Sequence, residues 1–141
     1  MTISSDTSLL GGKELNAVGE PVSAMTLDSN VVLLVGQRRE HEFRIENDIT
    51  VENHGNGSSF SVSYDPYNRA DPIRENLTEL AAIIGRTVVH AKAYVTGTLE
   101  IVLDDGTVLT VAPKDKYEAW TYTFGNFILS CPPGGFDPLP R

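Results

Sequence analysis

Leu99-Glu100-Ile101-Val102-Leu103-Asp104-Asp105-Gly106-Thr107-Val108-Leu109-Thr110-Val111 carries apolar residues at alternate positions on both sides of a turn, the pattern of two half-buried strands. If Asp104-Asp105-Gly106 forms a three-residue loop, Ile101 stands opposite Leu109 and Leu99 opposite Val111, and the apolar residues share one face. A two-residue turn would shift the pairing by one and set apolar against polar side chains. Gly106 suits the left-handed position that closes such a loop, since it has no side chain to clash at positive φ.

Worked outward from this hairpin, the chain repeats itself at an offset of about 66 residues. Gly19 falls on Gly85, Val22 on Val88, Leu33 on Leu99, Glu52 on Glu118 and Pro66 on Pro132, in an ungapped register. Val35 meets Ile101, Phe43 meets Leu109, Ile45 meets Val111 and Val62 meets Ile128. Two copies of one supersecondary unit follow, too few for a stacked solenoid. In the first copy the same logic places a loop at Arg38-Arg39-Glu40, with Val35 opposite Phe43 and Leu33 opposite Ile45. Glu40 is less suited than Gly106 to close it, so this hairpin should be looser or built differently.

The other elements extend the pattern. Pro21 to Leu27 and Asn30 to Val35 form a hairpin around Asp28-Ser29-Asn30. Each copy continues with a shorter pair of strands, Ile49 to Glu52 with Phe60 to Tyr64, and Ala119 to Phe124 with Phe127 to Cys131, turned by Asn56-Gly57 and Gly125-Asn126. Asp115 to Ala119 admits one helical turn. Between the copies, Asp71 as N-cap, Pro72 at the first helical position and Gly85 as the stop predict a helix over 72–84. Its stripe of Ile73, Leu77, Leu80, Ala81 and Ile84 must be covered by the sheet or plug one end of a barrel. The expected fold is mainly β with one helix (α+β): two pseudo-repeated antiparallel meanders, about 18–66 and 84–132, joined by that helix in a barrel or sandwich. A flexible leader over 1–15, a single domain over 16–136 and an extended tail over 137–141 complete the organisation.

Composition restricts function. A net charge of -8, with Arg38-Arg39 as the only basic cluster, argues against a nucleic-acid partner. No apolar run approaches the roughly 20 residues of a membrane helix, and the N-terminus lacks the basic start of a secretory signal. The lone Cys131 agrees with a reducing compartment, so a cytoplasmic location is expected.

No catalytic motif emerges. His41, His54 and His90 lack metal-ligand spacing, so no metal or cofactor is expected, and the histidines read as solvated or hydrogen-bonded structural residues. Cys131 precedes two prolines at a strand end rather than opening a helix that would lower its pKa. No nucleophile elbow, phosphate loop or dinucleotide fingerprint is present, and the chain is read as a non-enzyme. The candidate contact residues are Tyr64, Asp65 and Tyr67 ahead of the helix, Asp104 and Asp105 in the hairpin loop, and Phe136 in the tail, since aromatic residues anchor interfaces and carboxylates attract basic partners. Phe136, with Leu139, is read first as anchoring the tail on the body and second as anchoring it on a partner.

Gly97-Thr98-Leu99, Leu103-Asp104-Asp105-Gly106-Thr107, Leu109-Thr110-Val111, Tyr117-Glu118-Ala119-Trp120 and Cys131-Pro132-Pro133-Gly134-Gly135 together resemble a family of small actinobacterial proteins of unknown function, over roughly residues 80 to 136. Related chains end in a short strand with a Trp, whereas this one ends Phe136-Asp137-Pro138. The resemblance implies an association with toxin immunity. The expected function is therefore a non-catalytic binding protein that neutralises a toxin, a basic toxin domain being the partner. A small-ligand-binding barrel and a structural homodimer are the alternatives.

Overall fold

The computed structural model describes residues 12–27, 30–63 and 76–136. Eleven strands are present among them: β1 (Gly12–Glu14), β2 (Val22–Leu27), β3 (Val31–Val35), β4 (His41–Ile45), β5 (Ile49–Asn53), β6 (Ser58–Val62), β7 (Val88–Tyr94), β8 (Leu99–Leu103), β9 (Thr107–Val111), β10 (Trp120–Phe124) and β11 (Phe127–Ser130). A short helix, α1 (Leu77–Ala81), precedes β7. The strands form a six-stranded sheet, β1-β7-β8-β9-β5-β6, and a five-stranded sheet, β11-β10-β4-β3-β2. All pairs are antiparallel. The sheets do not close into a barrel, and the fold is a sandwich.

The duplication shows in the strand order. β2-β3-β4 and β7-β8-β9 are equivalent meanders, but neither keeps its own following hairpin. The first copy's β5-β6 joins β9, and the second copy's β10-β11 joins β4. Each sheet is thus a meander from one copy completed by the other's hairpin. The crossing connections hold each other: Asn47 Nδ2 donates to the Ala112 carbonyl (2.9 Å) and Lys114 Nζ to the Glu46 carbonyl (3.1 Å). At the pseudo-twofold axis Pro21 bridges Thr87, its own counterpart. Gly19 N–H donates to Val88 O and Gly85 N–H to Val22 O, both at 2.7 Å. Val22 N–H reaches Arg86 O (2.8 Å) as Val88 N–H reaches Glu20 O (2.9 Å). Even the register shifts repeat, between Val22 and Ala24 and between Val88 and His90.

Inward-facing side chains from both sheets form one core. Phe43, Leu33, Trp120 and Tyr122 of the five-stranded sheet and Ile49, Leu99, Ile101 and Leu109 of the six-stranded sheet are all buried. Each such aliphatic side chain contributes about 1.5–3 kcal/mol relative to exposure.

The β8-β9 hairpin has the expected register, Leu99 opposite Val111 and Ile101 opposite Leu109, with Gly106 at φ 87. The first copy departs from expectation. Leu33 pairs with Phe43 and Val35 with His41, so β3 slides by two residues and the loop spans 36–40. Arg39 takes φ 58, and Glu40 Oε1 accepts the Arg38 N–H at 3.1 Å. Val35 therefore matches Leu103 rather than Ile101, and the ungapped register fails at β3. The β7-β8 connection is longer by the two residues that the β8-β9 loop lacks.

Other expectations need correction. The leader becomes structured by Gly12, because β1 pairs with β7 and Leu15 is buried. The described helix covers Leu77–Ala81 only, preceded by Asn76 at φ 65, a left-handed conformation through which an α-helix cannot run. Asp71, Pro72 and Ile73 lie outside the described residues. Leu80 and Ile83 are buried, whereas Ile84 is 45% exposed. Gly85, at φ 97, is not the helix stop: the helix ends at Ala81 with Ala82 as its C-cap, and Gly85 closes the turn that follows. Residues 112–119 contain no helical turn.

Candidate binding groove

A groove of about 340 Å³ lies where α1 meets the β9-β5-β6 corner of the six-stranded sheet. Val51, Phe60, Ala82 and Ile83 supply apolar lining; Asn53, Asn56, Ser58, Thr107, Glu79 and Asp105 supply polar lining. Among the described residues, no lysine or arginine lines it.

Local chemistry fixes the rim. Asn53 Oδ1 accepts the N–H of Gly55 (2.9 Å) and of Asn56 (3.0 Å), and Asn56 Oδ1 accepts that of Ser58 (2.9 Å), so side chains bind the turn that backbone pairing leaves unsatisfied. Asn53 Nδ2 donates to Thr107 Oγ1 (3.0 Å) and His54 N–H to Gly106 O (3.2 Å), tying this turn to the β8-β9 loop. Asp105 Oδ1 accepts the Thr107 N–H (3.1 Å), and Arg86 Nε lies 3.5 Å from Oδ2. Partial burial pushes the Asp105 carboxyl upward, but Thr107 and Arg86 together outweigh it and hold it below its ordinary value. Asp105 is a carboxylate at neutral pH.

The pseudo-twofold explains why this space is open. On the opposite sheet, the positions of Val51, Asn53, Ser58 and Thr107 are taken by Tyr122, Phe124, Phe127 and His41, from the paired registers. There the rings fill the corner. His41 stacks on Phe124 (4.3 Å between centroids) and Tyr122 packs edge-on to Phe127 (6.0 Å). His41 Nδ1 and Tyr122 Oη are 2.7 Å apart, both residues buried. Burial pushes the His41 pKa below its ordinary value and that of Tyr122 up to about 12. Smaller, mostly polar residues on the β5-β6 hairpin and β9 leave a cavity where the β10-β11 hairpin and β4 have a plug.

The other sequence candidates scatter. Asp104 is exposed and does not line the groove. Tyr64, Asp65 and Tyr67 lie outside the described residues. Phe136 is 7% exposed and packs on Trp120 at 6.0 Å, its N–H donating to Val95 O (2.9 Å). Its ring anchors the C-terminal segment on the body and is not presented to a partner. Of the three candidates among the described residues, Asp104, Asp105 and Phe136, only Asp105 enters the groove. The remaining rim residues read in sequence as turn and strand-end polar residues, and their convergence depends on the non-local β5-β9 pairing.

Nothing in the arrangement assembles a nucleophile. The Cys131 thiol is buried, donates to Gly97 O at 3.3 Å, and has its pKa raised, chiefly by burial. On the outer face of the six-stranded sheet, His90 Nε2 lies 3.1 Å from Glu100 Oε1 but off the hydrogen-bonding direction, while Tyr94 Oη donates to the same oxygen (2.9 Å). No group of three or more metal-ligating side chains occurs among the described residues, and no described helix is long and apolar enough to cross a membrane.

Fold and groove define a pseudo-duplicated β-sandwich with one open corner. Residues 13–136 match a family of unknown function (DUF6188), and the chain belongs to that family. No curated protein and no solved structure matches it.

Proposed function

We propose that this is a non-catalytic binding protein that takes a basic segment of a protein partner into the groove, in the manner of an immunity protein covering a toxin. The observation that carries the reading is the groove itself: apolar lining under Glu79 and Asp105, with no lining cation among the described residues, open where its counterpart is filled by rings. An arginine or lysine matches this chemistry, its aliphatic stem on Phe60 and Ile83 and its charged head at the carboxylates. The net charge of -8 adds long-range attraction, which acts chiefly on the association rate. The buried Cys131 thiol supports a reducing, cytoplasmic setting.

The test is a tagged capture from native cytoplasm with three baits: wild type, Glu79→Lys, and Ser58→Phe, which restores the ring found at the opposite corner. A stoichiometric protein retained by wild type at low salt, and lost with both variants, is the expected result. Equal capture by all three refutes the groove as the contact. The volume also favours a second reading, since it falls within the roughly 300–1,000 Å³ of small-molecule sites. A retained compound in native mass spectra, absent from Ser58→Phe, would assign the groove to a small ligand instead.

A further inference from the structure

Among the described residues, the pseudo-twofold also leaves one strand position without its counterpart. Ahead of β2 the chain crosses the axis and runs along the outer edge of β7. Gly19 N–H binds Val88 O, Leu15 N–H binds Ala91 O (2.9 Å), and Lys13 stands opposite Ala93. The counterparts of Val88, Ala91 and Ala93 on β2 are Val22, Met25 and Leu27. Val22 is bonded equivalently by Gly85 and Arg86. There the equivalence stops, because the residues in the place of β1 fall in or next to α1. Among the described residues, no backbone group outside β3 bonds to Met25 or Leu27.

An edge with unpaired N–H and C=O groups is a template for another strand, and proteins guard such edges with charge or cover. β1 guards its edge with Lys13 and Glu14, and Asn76 Nδ2 donates to the Ser61 carbonyl of β6. β2 carries no charge from Val22 to Leu27, and Leu27 is 40% exposed although it belongs to the core-facing row. The β2 irregularity lies at the end already covered by Gly85 and Arg86, so Met25 to Leu27 stay regular.

The geometry points to a second copy of this chain as the occupant, its β2 pairing antiparallel with this β2 about Thr26. In that register Met25 and Leu27 exchange N–H···O bonds with Leu27 and Met25 of the second copy, and the five-stranded sheet becomes continuous across the dimer. Core-facing Met25 then covers the Leu27 that is exposed in the single chain. The chain is strongly acidic overall, and a strand without charge is where two copies can meet with no like charges opposed. Thr26 meets Thr26 as a non-hydrogen-bonded pair, with Cβ atoms about 4.5–5.5 Å apart. This pairing is independent of the groove, which lies on the other sheet.

The register makes the test specific. Thr26→Cys should oxidise to a covalent dimer on non-reducing gels, while Thr123→Cys, in mid-sheet on the same outer face, should not; buried Cys131 does not compete. By light scattering the wild-type chain should show a twofold mass, and Leu27→Lys should halve it with an unchanged near-ultraviolet dichroism spectrum. A monomer at every accessible concentration overturns the proposal, as does crosslinking of Thr26→Cys no faster than Thr123→Cys. A dimer that survives Leu27→Lys but is lost in Ile128→Lys would place the contact on β11 and also overturn it.

Discussion

Replacing Gly97 with alanine tests how the C-terminal segment is locked to the body. Gly97 sits in the β7-β8 connection at φ 96, and its carbonyl accepts both Trp120 Nε1 (2.8 Å) and the Cys131 thiol (3.3 Å). A Cβ there would lie 2.6 Å from Gly135 Cα, 2.8 Å from Pro113 Cβ and 3.1 Å from Cys131 Sγ. The first of these is backbone, so the contact is relieved only by moving the 131–136 segment. Positive φ for alanine costs about 1–2 kcal/mol, and overpacking adds about 1–3 kcal/mol, a total of about 2–5 kcal/mol. For a domain of this length the melting temperature should fall on the order of 10 °C. Gly134→Ala is the control, since Gly134 is at φ 79 with nothing within 4 Å of an added Cβ, and only the backbone strain applies. Urea unfolding followed through Trp120, the single tryptophan, measures both. If Gly97→Ala lies within about 0.5 kcal/mol of Gly134→Ala, the packing argument is wrong.

Two further perturbations follow. Tyr122→Phe leaves His41 Nδ1 without its partner and should destabilise by about 1–3 kcal/mol in thermal melts at neutral pH. The same pair sets the pH limits. The lowered His41 pKa gives stability that is present above its ordinary 6.5 and lost as pH falls below it. The raised Tyr122 pKa gives about 2–3 kcal/mol that is present below 10 and lost as pH rises toward 12, so Tyr122→Phe should flatten only the alkaline limb of a stability-pH profile. A protease site inserted between residues 63 and 76 should, once cut, leave two fragments that co-elute natively and separate only in denaturant. Each sheet contains strands of both, so separation without denaturant would contradict the exchanged hairpins.

The parts legible in sequence are those that local chemistry decides. Asp104-Asp105-Gly106 allows one loop length, and the β8-β9 register follows from it. The β3-β4 register was not legible because a slip of two residues keeps every inward side chain inward, so the hydrophobic pattern is blind to it. Only the loop distinguishes the two registers, and there Gly36 at φ 106 and Arg39 at φ 58 build a longer connection than Arg38-Arg39-Glu40. The helix was over-extended because the 3.6-residue period of Ile73, Leu77 and Leu80 does not register a left-handed Asn76 between them. The groove was beyond reach for a different reason. Repeat matching aligns each hairpin with its own meander, whereas the fold exchanges them, so no sequence-local reading sets Asn53 beside Thr107.

That exchange gives the duplication a structural consequence. The inward positions that hold the sheets together keep their apolar class in both copies: Leu33 and Ile101, Phe43 and Leu109, Ile45 and Val111. Beyond loop lengths, the copies part at two places. One is the corner where Tyr122, Phe124, Phe127 and His41 are matched by Val51, Asn53, Ser58 and Thr107. The other is the segment before the second meander, which forms α1 instead of an edge strand. Neither change improves packing: the first exchanges stacked rings for a cavity, and the second leaves the outer edge of Met25 and Leu27 without a backbone partner among the described residues and Leu27 exposed. Lost ring burial alone forgoes several kcal/mol, since a buried aromatic side chain contributes roughly 1.5–3 kcal/mol. A fold that gives up that stability at one corner while retaining its filled twin shows that packing alone does not require the corner to be open; under the binding role proposed above, a partner seated there would supply the compensating free energy.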